Sequence, residues 1–127
     1  MLWQSRRGRV EGVVYGLITK LTTVPLRRES VIDRLVAGRP PPVGCLSHVV
    51  ARDPTDGDVL WVTEVWTDAA AHAAALQRPD IKAGVADALA WVATIHDPII
   101  TEPVGGVGLP QRASSAETVA STAPSTT

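Results

Sequence analysis

The chain of 127 residues has no phenylalanine and no asparagine, a single cysteine and a single tyrosine. One cysteine, Cys45, excludes a disulfide framework, a cysteine-rich metal site and a thioredoxin-like pair. Charge of either sign is not in excess: 12 Lys and Arg face 13 Asp and Glu, for a net charge of −1. That balance excludes the basic footprint of a nucleic-acid binder and the acidic block of a solvating tail. Apolar runs are broken by charge well short of the ~20 residues needed to span a bilayer. Neither a nucleic acid nor a membrane is therefore an expected partner. What the chain does have is tryptophan, four in all. Tryptophan combines a large apolar body with a polar N–H, so its prominence directs attention to a pocket.

The length fits one domain. Residues 1–11 carry Arg6-Arg7-Gly8-Arg9, the kind of start a secretion signal has. Glu11 and Lys20 interrupt the next stretch and no small-residue cleavage site closes it, so the segment reads as a polar N-terminal extension and the protein as cytoplasmic. At the other end, residues 110–127 become almost entirely Ser, Thr, Ala and Pro beyond Ala113. Such a composition cannot bury enough apolar surface to offset its ordering entropy, and a disordered tail is expected. The folded domain is placed at 12–109.

Within it, Val13 to Leu21 is rich in β-branched residues and reads as a strand. Pro25 suits a first helical position. Val31, Ile32, Leu35 and Val36 then recur at helical spacing until Arg39-Pro40-Pro41-Pro42 ends the helix. Strands are expected over Cys45–Arg52 and Val59–Trp66, joined as an antiparallel hairpin by the turn signal Asp53-Pro54-Thr55-Asp56-Gly57-Asp58. Thr67-Asp68 caps an alanine-rich helix. Pro79 interrupts it, and Ile81, Val85, Leu89 and Val92 form the apolar stripe of a continuing segment. A last strand is placed over Asp97–Val104. The order β-α-β-β-α-β is the split arrangement of a ferredoxin-like α+β protomer.

The third strand alternates Leu60, Val62, Glu64 and Trp66 on one face with Val59, Trp61, Thr63 and Val65 on the other. Both sets are mainly apolar, whereas a sheet wetted on one side would alternate more cleanly. A homodimer that covers the second face is the expectation.

Several stretches resemble one family. They are Tyr15-Gly16-Leu17-Ile18-Thr19-Lys20, the block Gly44-Cys45-Leu46-Ser47-His48-Val49-Val50-Ala51-Arg52-Asp53, the run Val62-Thr63-Glu64-Val65-Trp66 followed by His72, and Glu102-Pro103-Val104-Gly105-Gly106-Val107-Gly108-Leu109. Together they resemble the antibiotic biosynthesis monooxygenase domain, and within it the quinol monooxygenases. The resemblance runs from about Val13 to Leu109 and implies a dimeric α+β barrel of ferredoxin-like protomers. It further implies oxidation of a phenolic or quinol aromatic by molecular oxygen as co-substrate, without metal or flavin. Two positions depart from the family pattern. Val43 stands where the family has Pro before the Gly-Cys pair, and His48 stands where it often has Tyr. The second bears on chemistry, because an imidazole takes a proton near neutral pH and a phenol rarely does.

A hydroxyaromatic that reduces oxygen needs a proton acceptor, a dry aromatic pocket and donors for an oxyanion. His72, one turn into its helix, is the first candidate for proton transfer, and His48 the second. Trp66 is the candidate substrate wall. Glu64 shares its face, flanked by Val62, and calls for a partner, either a histidine or an arginine such as Arg52. Tyr15 is a candidate donor to an oxyanion. Each of these also has a plain packing or surface role open to it. Trp61 points to the other face and reads as interface or core packing, Trp91 as core, and His96 has no constellation around it. A metal site is not expected, since the position four after His72 is Leu76. The haem-degrading relatives of this fold use an Asn, a Trp and a His, a triad this chain cannot form. Gly105-Gly106-Val107-Gly108 precedes no helix and is not a nucleotide loop. An isomerase using the same groups, or a non-catalytic binder of aromatics, remains open beside the oxygenase.

Overall fold

In the computed structural model, residues 14–109 are described. The expected extension over 1–11 and tail over 110–127 lie outside them. Five strands and three helices occur in the order β1 (Tyr15–Thr23), α1 (Arg28–Leu35), β2 (Cys45–Arg52), β3 (Val59–Trp66), α2 (Ala69–Ala75), α3 (Pro79–Leu89), β4 (Val92–Ile95) and β5 (Ile99–Thr101). β1 and β3 run antiparallel in the middle, β2 pairs with β3, and β4 pairs with β1. The ferredoxin-like α+β protomer is therefore present.

Several boundaries differ from the sequence reading, among them the end of β1, which continues past Leu21 to Thr23. α1 starts after Pro25 rather than at it, because Leu26 has φ 69°, a left-handed conformation that breaks the helical run before Arg27. The expected last strand over Asp97–Val104 shortens to β5, and an unexpected strand, β4, precedes it on the same edge of β1. β4 pairs Ile95 with Leu21, and β5 pairs Ile99 to Thr101 with Ile18 to Gly16. Between them His96 still donates its backbone N–H to the Lys20 carbonyl, and Pro98, which has no N–H to give, marks the gap. Val92 accordingly belongs to β4 and not to the helical stripe. The buried position of α3 is Ala88, seven residues after Ile81, and Leu89 is exposed.

The helices cover one face of the sheet. Leu21, Leu60 and Val62 meet Val31 of α1 and Ala88 of α3 in the core, with Ile32, Leu35, Val50, Trp91 and Val92 packed around them. The β2–β3 turn is held from inside. Asp53 Oδ1 accepts the backbone N–H groups of Thr55 and Asp56 at 2.9 and 3.0 Å, the side-chain turn mimicry expected of Asp. Arg28 Nη1 donates to the carbonyls of Asp53, Asp56 and Val59, tying α1 to the hairpin. On the opposite face Thr63 is exposed, Val49 is 55% exposed, and Trp61 and Val65 are half-buried. Lys20 Nζ lies 5.7 Å from the centre of the Trp61 ring, whose N–H donates to Asp53 Oδ2 at 3.0 Å. Among the described residues, no helix is long and apolar enough to cross a membrane.

Candidate functional site

The site forms where β3 ends and α2 begins. Asp68, in an extended conformation, accepts the backbone N–H of Ala71 at 2.8 Å and caps α2. Gly44 brings the start of β2 to the same place. Its carbonyl accepts the Thr67 N–H at 2.9 Å, and its φ of 86° requires glycine. A Cβ on Gly44 would stand 2.6 Å from the Ala71 Cβ and 2.9 Å from Thr67 Oγ1. This seating sets the first turn of α2 against the sheet and turns His72 inward.

Register supplies the rest. β1 and β3 pair Tyr15 with Trp66 and Leu17 with Glu64, so Tyr15, Glu64 and Trp66 share the helix-facing side. The Trp66 indole N–H donates to Glu64 Oε1 at 3.0 Å. The same oxygen lies 3.8 Å from His72 Nε2. The His72 ring has its centre 5.2 Å from that of Trp66, edge to face, and 5.6 Å from that of Tyr15. Glu64 and His72 side chains are 13% and 19% exposed, and Trp66 is 3% exposed.

Four of the five residues singled out from sequence thus stand together: Tyr15, Glu64, Trp66 and His72. His48 is different. It is the register partner of Glu64, but it is exposed, and among the described residues it makes none of the ring or carboxylate contacts that join the other four. Trp66 is packed on nearly all sides, so it is the back wall of the cluster rather than an open stacking face. Glu64 partners the histidine and not Arg52, which instead donates to both carboxylate oxygens of Glu29 at 2.6 and 2.8 Å.

Cys45 was not among the site candidates, yet it is the register partner of Trp66. Burial pushes its thiol up, the backbone of Ser47 works the other way, and the negative charge of Glu64 adds to the rise. A register shift between Cys45 and Ser47 places Cys45, rather than Leu46, opposite Trp66, an irregularity that strand length and turn spacing do not signal. Among the described residues, no three His, Cys, Asp or Glu side chains group to hold a metal ion. The arrangement offers an imidazole beside a carboxylate, with an indole and a phenol around them. Such a set can accept a proton from a neutral aromatic and hold the resulting charge.

The family model of the antibiotic biosynthesis monooxygenases matches residues 15–87. A Chloroflexus aurantiacus protein assigned to the same family is 40% identical, over 76% of this chain and 99% of that one, with a TM-score of 0.72. PA3566 from Pseudomonas aeruginosa is 20% identical over 74% of this chain and 97% of its own, with a TM-score of 0.63. SnoaB, a cofactor-independent oxygenase from Streptomyces nogalater, is 20% identical over 76% of this chain and 98% of its own, with a TM-score of 0.60. The likeness to the last two is one of fold. No curated protein matches the chain. With the family pattern spanning β1 to α3, and a relative of such identity matched over nearly its whole length, the chain belongs to the antibiotic biosynthesis monooxygenase family.

Proposed function

We propose that the protein is a cofactor-independent monooxygenase acting on a phenolic or quinol-type aromatic. The observation that carries this reading is the meeting of His72, Glu64, Trp66 and Tyr15 on the helix-facing side of the sheet. His72 takes the hydroxyl proton of the substrate. The resulting aryloxide is electron-rich enough to reduce oxygen without help from a metal or flavin. A carbon–oxygen bond forms to give a hydroperoxide, which loses water and leaves a carbonyl on the ring. One oxygen atom ends in the product and the other in water. Tyr15 donates to the oxyanion, and Trp66 backs the cluster. The family membership and the cofactor independence of SnoaB, a protein of the same fold, support the reading.

In this proposal the working unit is a homodimer in the cytoplasm, joined through the sheet face opposite the helices. The half-buried Trp61 and Val65 and the exposed Val49 and Ile99 support that surface, and the free thiol of Cys45 fits a reducing compartment. A monomeric mass by light scattering at micromolar concentration would refute the dimer.

The activity test is oxygen uptake by metal-free protein with a panel of naphthoquinols and anthrones. Enzyme-dependent uptake that collapses in His72→Ala is expected. Absence of uptake, or full activity in that variant, overturns the proposal. Turnover under strict anaerobiosis would mark an isomerase instead, and saturable binding without turnover a carrier.

A further inference from the structure

We propose that Glu64 is the positioning residue of His72 and that Trp66 holds Glu64 in place to do it. This rests on the reading of His72 as the proton acceptor, but the physical pairing can be tested without any reaction.

Glu64 sits in a row with Leu60, Val62 and Trp66 on the face that packs against the helices. A carboxylate in that row is costly unless it is partnered. Two partners are present, and both approach one oxygen. The Trp66 N–H donates to Oε1 at 3.0 Å, from two residues along the same strand. His72 Nε2 stands 3.8 Å from that oxygen, too long for a hydrogen bond. Contacts of this kind are often long in an empty site and tighten when substrate is bound. The indole bond fixes how the carboxylate is turned, so the oxygen it holds is the one presented to the imidazole. Trp66 and Tyr15 flank the His72 ring and restrict its rotation.

The consequence is a division of labour between the two ring nitrogens. Nε2, facing the carboxylate, carries the hydrogen. Nδ1 is left with the lone pair and receives the proton of the substrate. As it does so, positive charge grows on an imidazole that already has a carboxylate beside it. That attraction is larger in the transition state than in the resting complex, which is the condition for raising turnover rather than affinity. Glu64 touches no reacting atom and acts through His72. Among the described residues, the phenol of Tyr15, the thiol of Cys45 and the imidazole of His48, the register partner of Glu64, are the other titratable groups around the pair.

The test uses the full chain labelled with 15N at histidine and tryptophan. It has 3 His and 4 Trp, so single substitutions assign every ring signal. Without substrate, the carboxylate 3.8 Å away is expected to bias wild-type His72 toward the Nε2–H tautomer, and the Trp66 N–H signal is expected downfield. In Glu64→Leu, whose apolar side chain suits the Leu60–Val62 row, the Trp66 signal moves upfield and the His72 tautomer preference is lost. Glu64→Gln keeps an acceptor for Trp66 and removes the charge. Its kcat should fall by about tenfold to hundredfold, the scale of losing a partner that orients a histidine, with KM within about twofold. Unchanged ring signals in Glu64→Leu overturn the pairing. A Glu64→Gln loss confined to KM overturns the catalytic part. An inactive wild type that still shows the ring signals of a paired His72 overturns the oxygenase reading and leaves the pairing standing.

Discussion

Gly44→Ala tests how the site is assembled. Gly44 has φ 86°, and an alanine there costs about 1–2 kcal/mol for its left-handed backbone. The new methyl group would stand 2.6 Å from the Ala71 Cβ and 2.9 Å from Thr67 Oγ1. Neither neighbour is the end of a flexible side chain: one is fixed to the first turn of α2, the other to the end of β3. Overpacking of this kind costs about 1–3 kcal/mol. Against it, alanine restricts the unfolded chain and returns about 0.4–1 kcal/mol. The net loss is about 1–4.6 kcal/mol, which for a domain of this size lowers Tm by roughly 5–25 °C. Thermal unfolding followed by far-UV circular dichroism reads it directly. Gly38→Ala is the control, because a Cβ there meets nothing within 4 Å; it should stay within about 0.5 kcal/mol of wild type. The strain is relieved most readily by lifting α2 from the sheet, which carries His72 away from Glu64. Oxygen uptake should therefore fall even at temperatures where Gly44→Ala is fully folded. A Gly44→Ala protein that unfolds within about 3 °C of wild type, less than 1 kcal/mol by the same conversion, would refute the seating of α2 on Gly44.

Three further outcomes are expected. Leu60 is fully buried at the centre of the core, so Leu60→Ala should lose about 2–5 kcal/mol in urea unfolding, with little change in the slope. Cys45 is held above the usual thiol range by burial and, more weakly, by Glu64; its alkylation by iodoacetamide should run slower than that of a free cysteine at pH 8 and rise only at higher pH. The Trp61 indole, together with the backbone N–H groups of Thr55 and Asp56, holds the Asp53 carboxyl well below the usual carboxylate range. A depressed folded value stabilises the protein above the unfolded value of 3.8, and this is lost as pH falls from there toward the folded one. Asp53→Asn should accordingly weaken the protein at pH 7 and flatten the dependence of its urea midpoint on pH below 4, while an unchanged acid profile would count against the turn geometry.

Local chemistry decided much of this protein. The Asp-, Pro- and Gly-rich turn at 53–58, the alternating strands on either side and the Asp68 cap are short-range signals. They yielded β2, β3 and the start of α2 with the boundaries the structure has. The period-two alternation of β3 also put Glu64 and Trp66 on one face, and the resemblance pointed to His72. Other features depended on contacts between elements distant in the chain. Val92 fits a helical stripe as well as a strand, and only its pairing with Thr23 of β1 makes it β4. Arg52 was as good a partner for Glu64 as any histidine until α1 brought Glu29 to it. The exposure of His48, the burial of Trp66 and the place of Cys45 beside the carboxylate depend on which strand lies at the edge and where α2 is seated. Hydrophobic period, caps and turn residues act within a few residues and can be read along the chain. The partner of a buried carboxylate and the exposure of a side chain are set by packing across the sheet, which brings together residues that the chain keeps far apart.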